Sequence, residues 1–209
     1  MNNQNICVIC GQKSATTYDH IPPKCIFPEP RPSDLITIPA CEECNKSTET
    51  LDEEFRVFIN MFVGNKSVET EKLWKNTLRT LQHNSRLLEK AKASFRPADL
   101  TSEHSIIIGK TNVVVWDNSV NKVFEKIICG LYWYHFREIL VDRVMITVCH
   151  KQSISSTAVE TVKLWESNFV GNGQFLYKYV RAHDVPLRSA WLLVFHKSLA
   201  VFGYTNPIL

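Results

Sequence analysis

The chain has 209 residues, 44% hydrophobic and 22% charged, with a formal net charge of +3. These proportions are those of a soluble globular protein, and no apolar run is long enough to span a bilayer, so a membrane partner is not expected. Met1-Asn2-Asn3-Gln4-Asn5 lacks a basic segment followed by an apolar run, which argues against a secretory signal and makes a cytoplasmic location the expectation.

The first element is a cysteine-rich module. Cys7-x-x-Cys10 and Cys41-x-x-Cys44 are two CxxC turns, and two such turns supply the closed tetrahedral thiolate shell of a structural zinc site. Once these are set aside, Cys25, Cys129 and Cys149 have no regular spacing, which suits a reducing compartment better than a disulfide scaffold. Six prolines between Pro22 and Pro39 make much of the intervening segment loop and short strand, with Leu35-Ile36-Thr37-Ile38 a strand ending at Pro39. A helix starts near Cys44 and continues or restarts through Glu53 to Phe62. Residues 1–55 hold four basic and nine acidic groups, while the remainder holds 20 basic and 12 acidic, an asymmetry compatible with a cation site beside a polyanion track.

Residues 68–95 read as one long helix, with Trp74, Leu78, Leu81, Leu88 and Phe95 at helical spacing and Pro97 as its stop. Lys72, Lys75, Arg79, His83, Arg86 and Lys90 fall on its opposite face. That stripe is either a track for a nucleic-acid backbone or the wet face of an amphipathic helix.

Beyond it the pattern is α+β. Ile106-Ile107-Ile108 and Val113-Val114-Val115 read as strands with Gly109 near the turn, Val120 to Leu140 as a helix, Met145 to Cys149 as a strand and Ser156 to Trp165 as a helix. Phe175, Tyr177 and Tyr179 alternate, as do Trp191, Leu193 and Phe195 and then Leu199 and Val201, which predicts an antiparallel sheet. The runs Tyr132-Trp133-Tyr134-His135-Phe136 and Phe175-x-Tyr177-x-Tyr179 offer either base-stacking platforms or core packing, and packing is the preferred reading, with His135 a satisfied core histidine. The expected organisation is a module at 1–62, a linking helix at 63–97 and a C-terminal α+β domain at 98–209.

Between the two CxxC pairs lies Asp19-His20-Ile21-Pro22, followed by Asp34-Leu35, and the second pair runs directly into Asn45. Taken together over residues 6–55, this string resembles the zinc-stapled HNH, or ββα-metal, endonucleases. The resemblance implies a metal-dependent endonuclease cleaving DNA, with His20 as general base and Asp19 and Asn45 holding a catalytic Mg²⁺ or Mn²⁺ beside the structural Zn²⁺ at Cys7, Cys10, Cys41 and Cys44. Glu49, one helical turn after Asn45, is a further candidate ligand, and Asp52 and Glu53 follow it; all three also suit a solvated helix. Asp34 stands where the family has an Asn that positions the loop behind the catalytic His, and Asn45 stands where the family name has its last His. Lys24 and Arg31 are candidate phosphate contacts. The alternative is a catalytically inactive, zinc-stabilised module binding nucleic acid or protein, with the C-terminal domain serving a protein partner or a homodimer.

Overall fold

The computed structural model describes residues 5–63, 67–101, 107–140, 144–150 and 160–207. The chain mixes helices with antiparallel sheets. Strands β1 (Thr17–Ile21) and β2 (Ile36–Ala40) form an antiparallel pair, and helix α1 (Glu42–Val63) begins two residues after β2 ends. Glu42 and Glu43 place negative charge at the positive end of its dipole. Its first half is largely exposed, while Phe55, Val57, Phe58, Ile59, Asn60 and Val63 of its second half are buried.

Helices α2 (Val68–His83) and α3 (Ser85–Ser94) replace the single helix expected over 68–95. The break is at Asn84, whose backbone leaves the helical region and whose side-chain oxygen accepts from the Leu87 amide at 3.0 Å, capping α3. The buried face of α2 also differs from the expected apolar stripe. Thr70, Leu73 and Thr77 are inside, whereas Leu78 is 41% exposed. A buried hydrogen bond from the Asn60 amide to the Thr77 hydroxyl, 2.7 Å long, selects that face by pairing α2 with α1.

Pro97 lies inside a strand and does not terminate a helix. Strand β3 (Phe95–Thr101) pairs with β4 (Ile107–Val114) in a separate two-stranded ribbon, where a proline does not break a central ladder. Gly109 sits opposite Leu100 within that ribbon, so the two short strands expected around it are one. Helix α4 (Asn118–Phe136) ends at Arg137, which takes a left-handed cap with φ 57°. Strands β5 (Val144–His150), β6 (Glu166–Val170), β7 (Phe175–Arg181), β8 (Ser189–Phe195) and β9 (Leu199–Pro207) form one antiparallel sheet in the order β5-β9-β8-β7-β6. Of the helix expected over 156–165, residues 156–159 lie outside the described residues, while 160–162 are helical and give way to a turn at 163–164.

One continuous apolar core holds these layers together. It runs from Val8, Ile21, Ile36 and Ile38 around the hairpin, through Phe55 and Phe58 of α1 and Val123, Phe124 and Ile127 of α4, to Phe175, Trp191 and Phe195 of the sheet. Tyr177 and Tyr179 lie in that core, with rings stacked along the inner sheet face. Both His135 nitrogens are hydrogen-bonded, one to the Tyr177 hydroxyl at 3.0 Å and the other to the Tyr179 hydroxyl at 3.1 Å. At Gly130 the helix α4 approaches β1 so closely that an added Cβ would lie 2.5 Å from Ile21 Cγ1.

Candidate functional site on the N-terminal hairpin

The four cysteines of the two CxxC turns converge. The sulfurs of Cys7, Cys10, Cys41 and Cys44 all lie within 4.8 Å of one another, and none is in a disulfide. Each turn is closed locally: the Gly11 amide donates to the Cys7 carbonyl at 2.8 Å, and the Cys44 amide points at the Cys41 sulfur at 3.4 Å. Burial alone would push the Cys10 thiol up, but the amides of Lys13 and Gln12 outweigh it and bring its pKa to about 7. Four soft thiolate donors at this spacing fit Zn²⁺. Such an ion would tie the first turn to the end of β2 and the start of α1, reinforcing the Val8-to-Pro39 and Thr16-to-Ala40 backbone bonds.

Strand alternation divides β1 into two faces. Asp19 and Ile21 are buried on one, while Tyr18 and His20 stand on the other. Helix α1 lies over the first face, because the Asn45 amide donates to Thr17 Oγ1 at 3.1 Å and to the Tyr18 carbonyl at 3.3 Å. Asp19 is only 6% exposed, and both of its oxygens are engaged. Oδ1 accepts from the His20 amide at 2.7 Å, and Oδ2 receives the Lys126 ammonium at 3.1 Å. Lys126 also donates to Asp52 Oδ1 at 2.9 Å, and its side chain is 3% exposed. Burial, reinforced by Asp19 and Glu49, raises the Asp52 pKa to about 6 despite the Lys126 charge. The three side chains thus form a triad joining β1, α1 and α4, with Asp19 and Lys126 buried and Asp52 at its partly exposed edge.

A divalent ion fits this arrangement poorly. Asp19, its expected carboxylate ligand, is paired with a buried cation, and the Asn45 amide is turned toward the strand backbone. Glu49 is exposed, and Glu53 lies 3.7 Å from Arg56 on the same helix and 3.5 Å from the Asn84 amide that caps α3.

His20 is half-buried opposite Thr37. Burial lowers its pKa, and the charges of Lys24, Arg31 and Lys126 lower it further against the pull of Asp19, so the imidazole is neutral at neutral pH. Lys24 and Arg31 are both exposed on the loop between β1 and β2, Arg31 within 3.0 Å of Glu29. That loop is pinned from outside the module. Asp34 accepts the Gly171 amide at 3.1 and 3.0 Å, and the His196 ring lies 3.0 Å from the Ile26 carbonyl. Asp34 therefore anchors the loop to the turn between β6 and β7. Gly171 needs its hydrogen side chain twice over, since φ is +64° and a Cβ would meet Phe27 at 2.8 Å and Pro32 at 2.9 Å. Gly171→Ala is expected to lower stability by about 1–3 kcal/mol, read as the shift of the urea midpoint at constant slope. A shift below a few tenths of that range would mean that the loop yields without strain.

The basic stripe is divided between two helices. Lys72, Arg79, His83 and Arg86 are exposed, Lys75 pairs with Glu71 at 2.8 Å, and Lys90 is drawn inward to Glu54 and to Asp117, the latter at 2.8 Å. Lys126 was not singled out by sequence reasoning. Its one signal was a charge set among the apolar positions Val123, Phe124, Ile127 and Ile128. No family model, curated protein or solved structure matches the chain.

Proposed function

We propose that this chain is an endonuclease that hydrolyses DNA phosphodiester bonds, with an HNH-type hairpin and helix carrying His20 as general base. The observation that carries this reading is the setting of His20: a half-buried imidazole on the outward face of β1, kept neutral chiefly by burial, just before the loop that carries the exposed Lys24 and Arg31. A phosphate drawn between those cations would lie next to the base. His20 would take a proton from water as the water oxygen bonds to phosphorus. The bond from phosphorus to the leaving sugar oxygen would break on the opposite side, and solvent would protonate that oxygen. Lys24 and Arg31 would stabilise the charge gathering on the non-bridging oxygens. The hairpin followed directly by α1, and the thiolate cluster at its base, support the ββα-metal reading.

Nicking of supercoiled plasmid by the zinc-loaded protein tests the proposal. His20→Ala is expected to lower the rate by about 100-fold or more, the usual worth of a positioned base, while leaving DNA binding by gel shift intact. The rate of the unmodified protein should rise with pH through a midpoint below the ordinary imidazole value of 6.5, because deprotonated His20 is the active form and its pKa is lowered. Equal rates for both proteins would overturn the reading. A second reading, a zinc-stabilised binding module without cleavage, is favoured by one observation: both carboxylate oxygens of Asp19 are satisfied within the protein. It predicts gel shifts without nicking for both proteins.

A further inference from the structure

We propose that the Lys126 ammonium takes up the Asp19 carboxylate that would otherwise hold a divalent cation, so that cleavage at His20 proceeds without Mg²⁺ or Mn²⁺. This rests on the reading of His20 given above and alters what that site requires. Lys126 sits between the carboxylates of Asp19 and Asp52 at 3.1 and 2.9 Å, with 3% of its side chain exposed. The backbone fixes it there. Gly130, one helical turn after Lys126, closes on Ile21, and Ile21 shares the inward face of β1 with Asp19. Helix α4 cannot seat Gly130 on Ile21 without bringing Lys126 to Asp19.

A divalent ion entering at Asp19 would meet a like charge already bonded to its ligand. Ejecting Lys126 would in turn bury an unpaired ammonium among Val123, Phe124 and Ile127, all at most 1% exposed. Lys126 is too deep to touch substrate, so it is a positioning residue: it neutralises Asp19 and leaves the phosphate to Lys24 and Arg31, which are exposed.

Two measurements on the zinc-loaded full chain decide it, one of them independent of activity. Titration of Mn²⁺ followed by electron paramagnetic resonance is expected to show no bound Mn²⁺ for the unmodified protein. Lys126→Ala, which leaves two carboxylates facing a vacated cation position, is expected to bind one Mn²⁺ and to gain thermal stability from it. In buffer freed of divalent ions, plasmid nicking is expected to stay within about twofold of its rate with millimolar Mg²⁺, whereas a metal-dependent site would lose about 100-fold or more. Mn²⁺ bound by the unmodified protein and lost in Asp19→Asn would overturn the inference. So would nicking that requires Mg²⁺, and either result leaves His20 as base intact. Absence of nicking under all conditions would remove the endonuclease reading, and the Mn²⁺ titration would still decide the role of Lys126. A Mg²⁺ requirement for nicking is read on the unmodified protein alone, so the inference can be overturned even if Lys126→Ala or Asp19→Asn does not fold.

Discussion

Withdrawing the metal from the four-cysteine cluster is expected to unfold the hairpin and abolish every activity that depends on His20, although His20 itself is untouched. Thiolate zinc sites in small modules contribute roughly 10–16 kcal/mol of apparent folding free energy, comparable to or above the roughly 5–15 kcal/mol by which a whole domain is stable. Here the cluster closes a loop containing all of β1, the Lys24 and Arg31 segment and β2. Val8, Ile21, Ile36 and Ile38 of the same region belong to the common core, so the loss would spread into α1 and α4. A thiol-reactive mercurial with a colorimetric zinc indicator should release one zinc per chain, with the melting transition falling in parallel. Cys41→Ser should reproduce that loss in part. Release of no metal, or an unchanged melt after release, would show that the sulfurs are not bridged by an ion.

Lys126→Met is expected to produce the largest effect of any substitution away from the cysteines. Removing one member of a buried ionic group typically costs about 3–5 kcal/mol, chiefly because the remaining charge is stranded. Here two carboxylates are stranded, one of them on a residue only 6% exposed. The pH dependence has a definite sign. A buried carboxyl without its cation titrates higher in the folded than in the unfolded state, so the penalty is full above the folded pKa and shrinks as pH falls through it. Asp52 titrates at about 6 with Lys126 pulling it down, and higher without that charge, so the deficit should already be closing as the pH falls toward that value. Urea unfolding at neutral pH and near pH 5 measures it. Adding Asp19→Asn and Asp52→Asn should recover most of the loss, since a neutral triad has no charge to strand. A deficit under about 1 kcal/mol at neutral pH would mean that the carboxylates find water instead.

The sequence carried the local features of this molecule well and its long-range polar contacts poorly. The CxxC spacing foretold a converging cysteine cluster because the ligands of each turn are local. Alternation in Phe175, Tyr177 and Tyr179 and in Trp191, Leu193 and Phe195 foretold an antiparallel sheet, because one face of each strand is apolar. The break at Asn84 was hidden because Leu81 and Leu88 keep helical spacing across it, and the capping role of Asn84 depends on its own backbone leaving the helix. Asp19 was legible as a polar neighbour of His20, but its partner lies 107 residues away on a helix of the second half. A lysine on an amphipathic helix reads as surface until the acids that bury it have been brought to it.

The loop carrying Lys24 and Arg31 has a consequence for synthesis. Its two anchors, Gly171 and His196, are 137 and 170 residues beyond the atoms they hold. A chain emerging from a ribosome exposes His20 early, yet these two anchors of the segment beside it are missing until the turns after β6 and β8 are made. The loop is therefore short of both anchors while the chain is nascent, and a prematurely terminated product lacking β6 to β9 carries His20 and the cysteines without them. In the endonuclease proposed above, incomplete chains would lack these anchors and with them the ordered Lys24 and Arg31 segment.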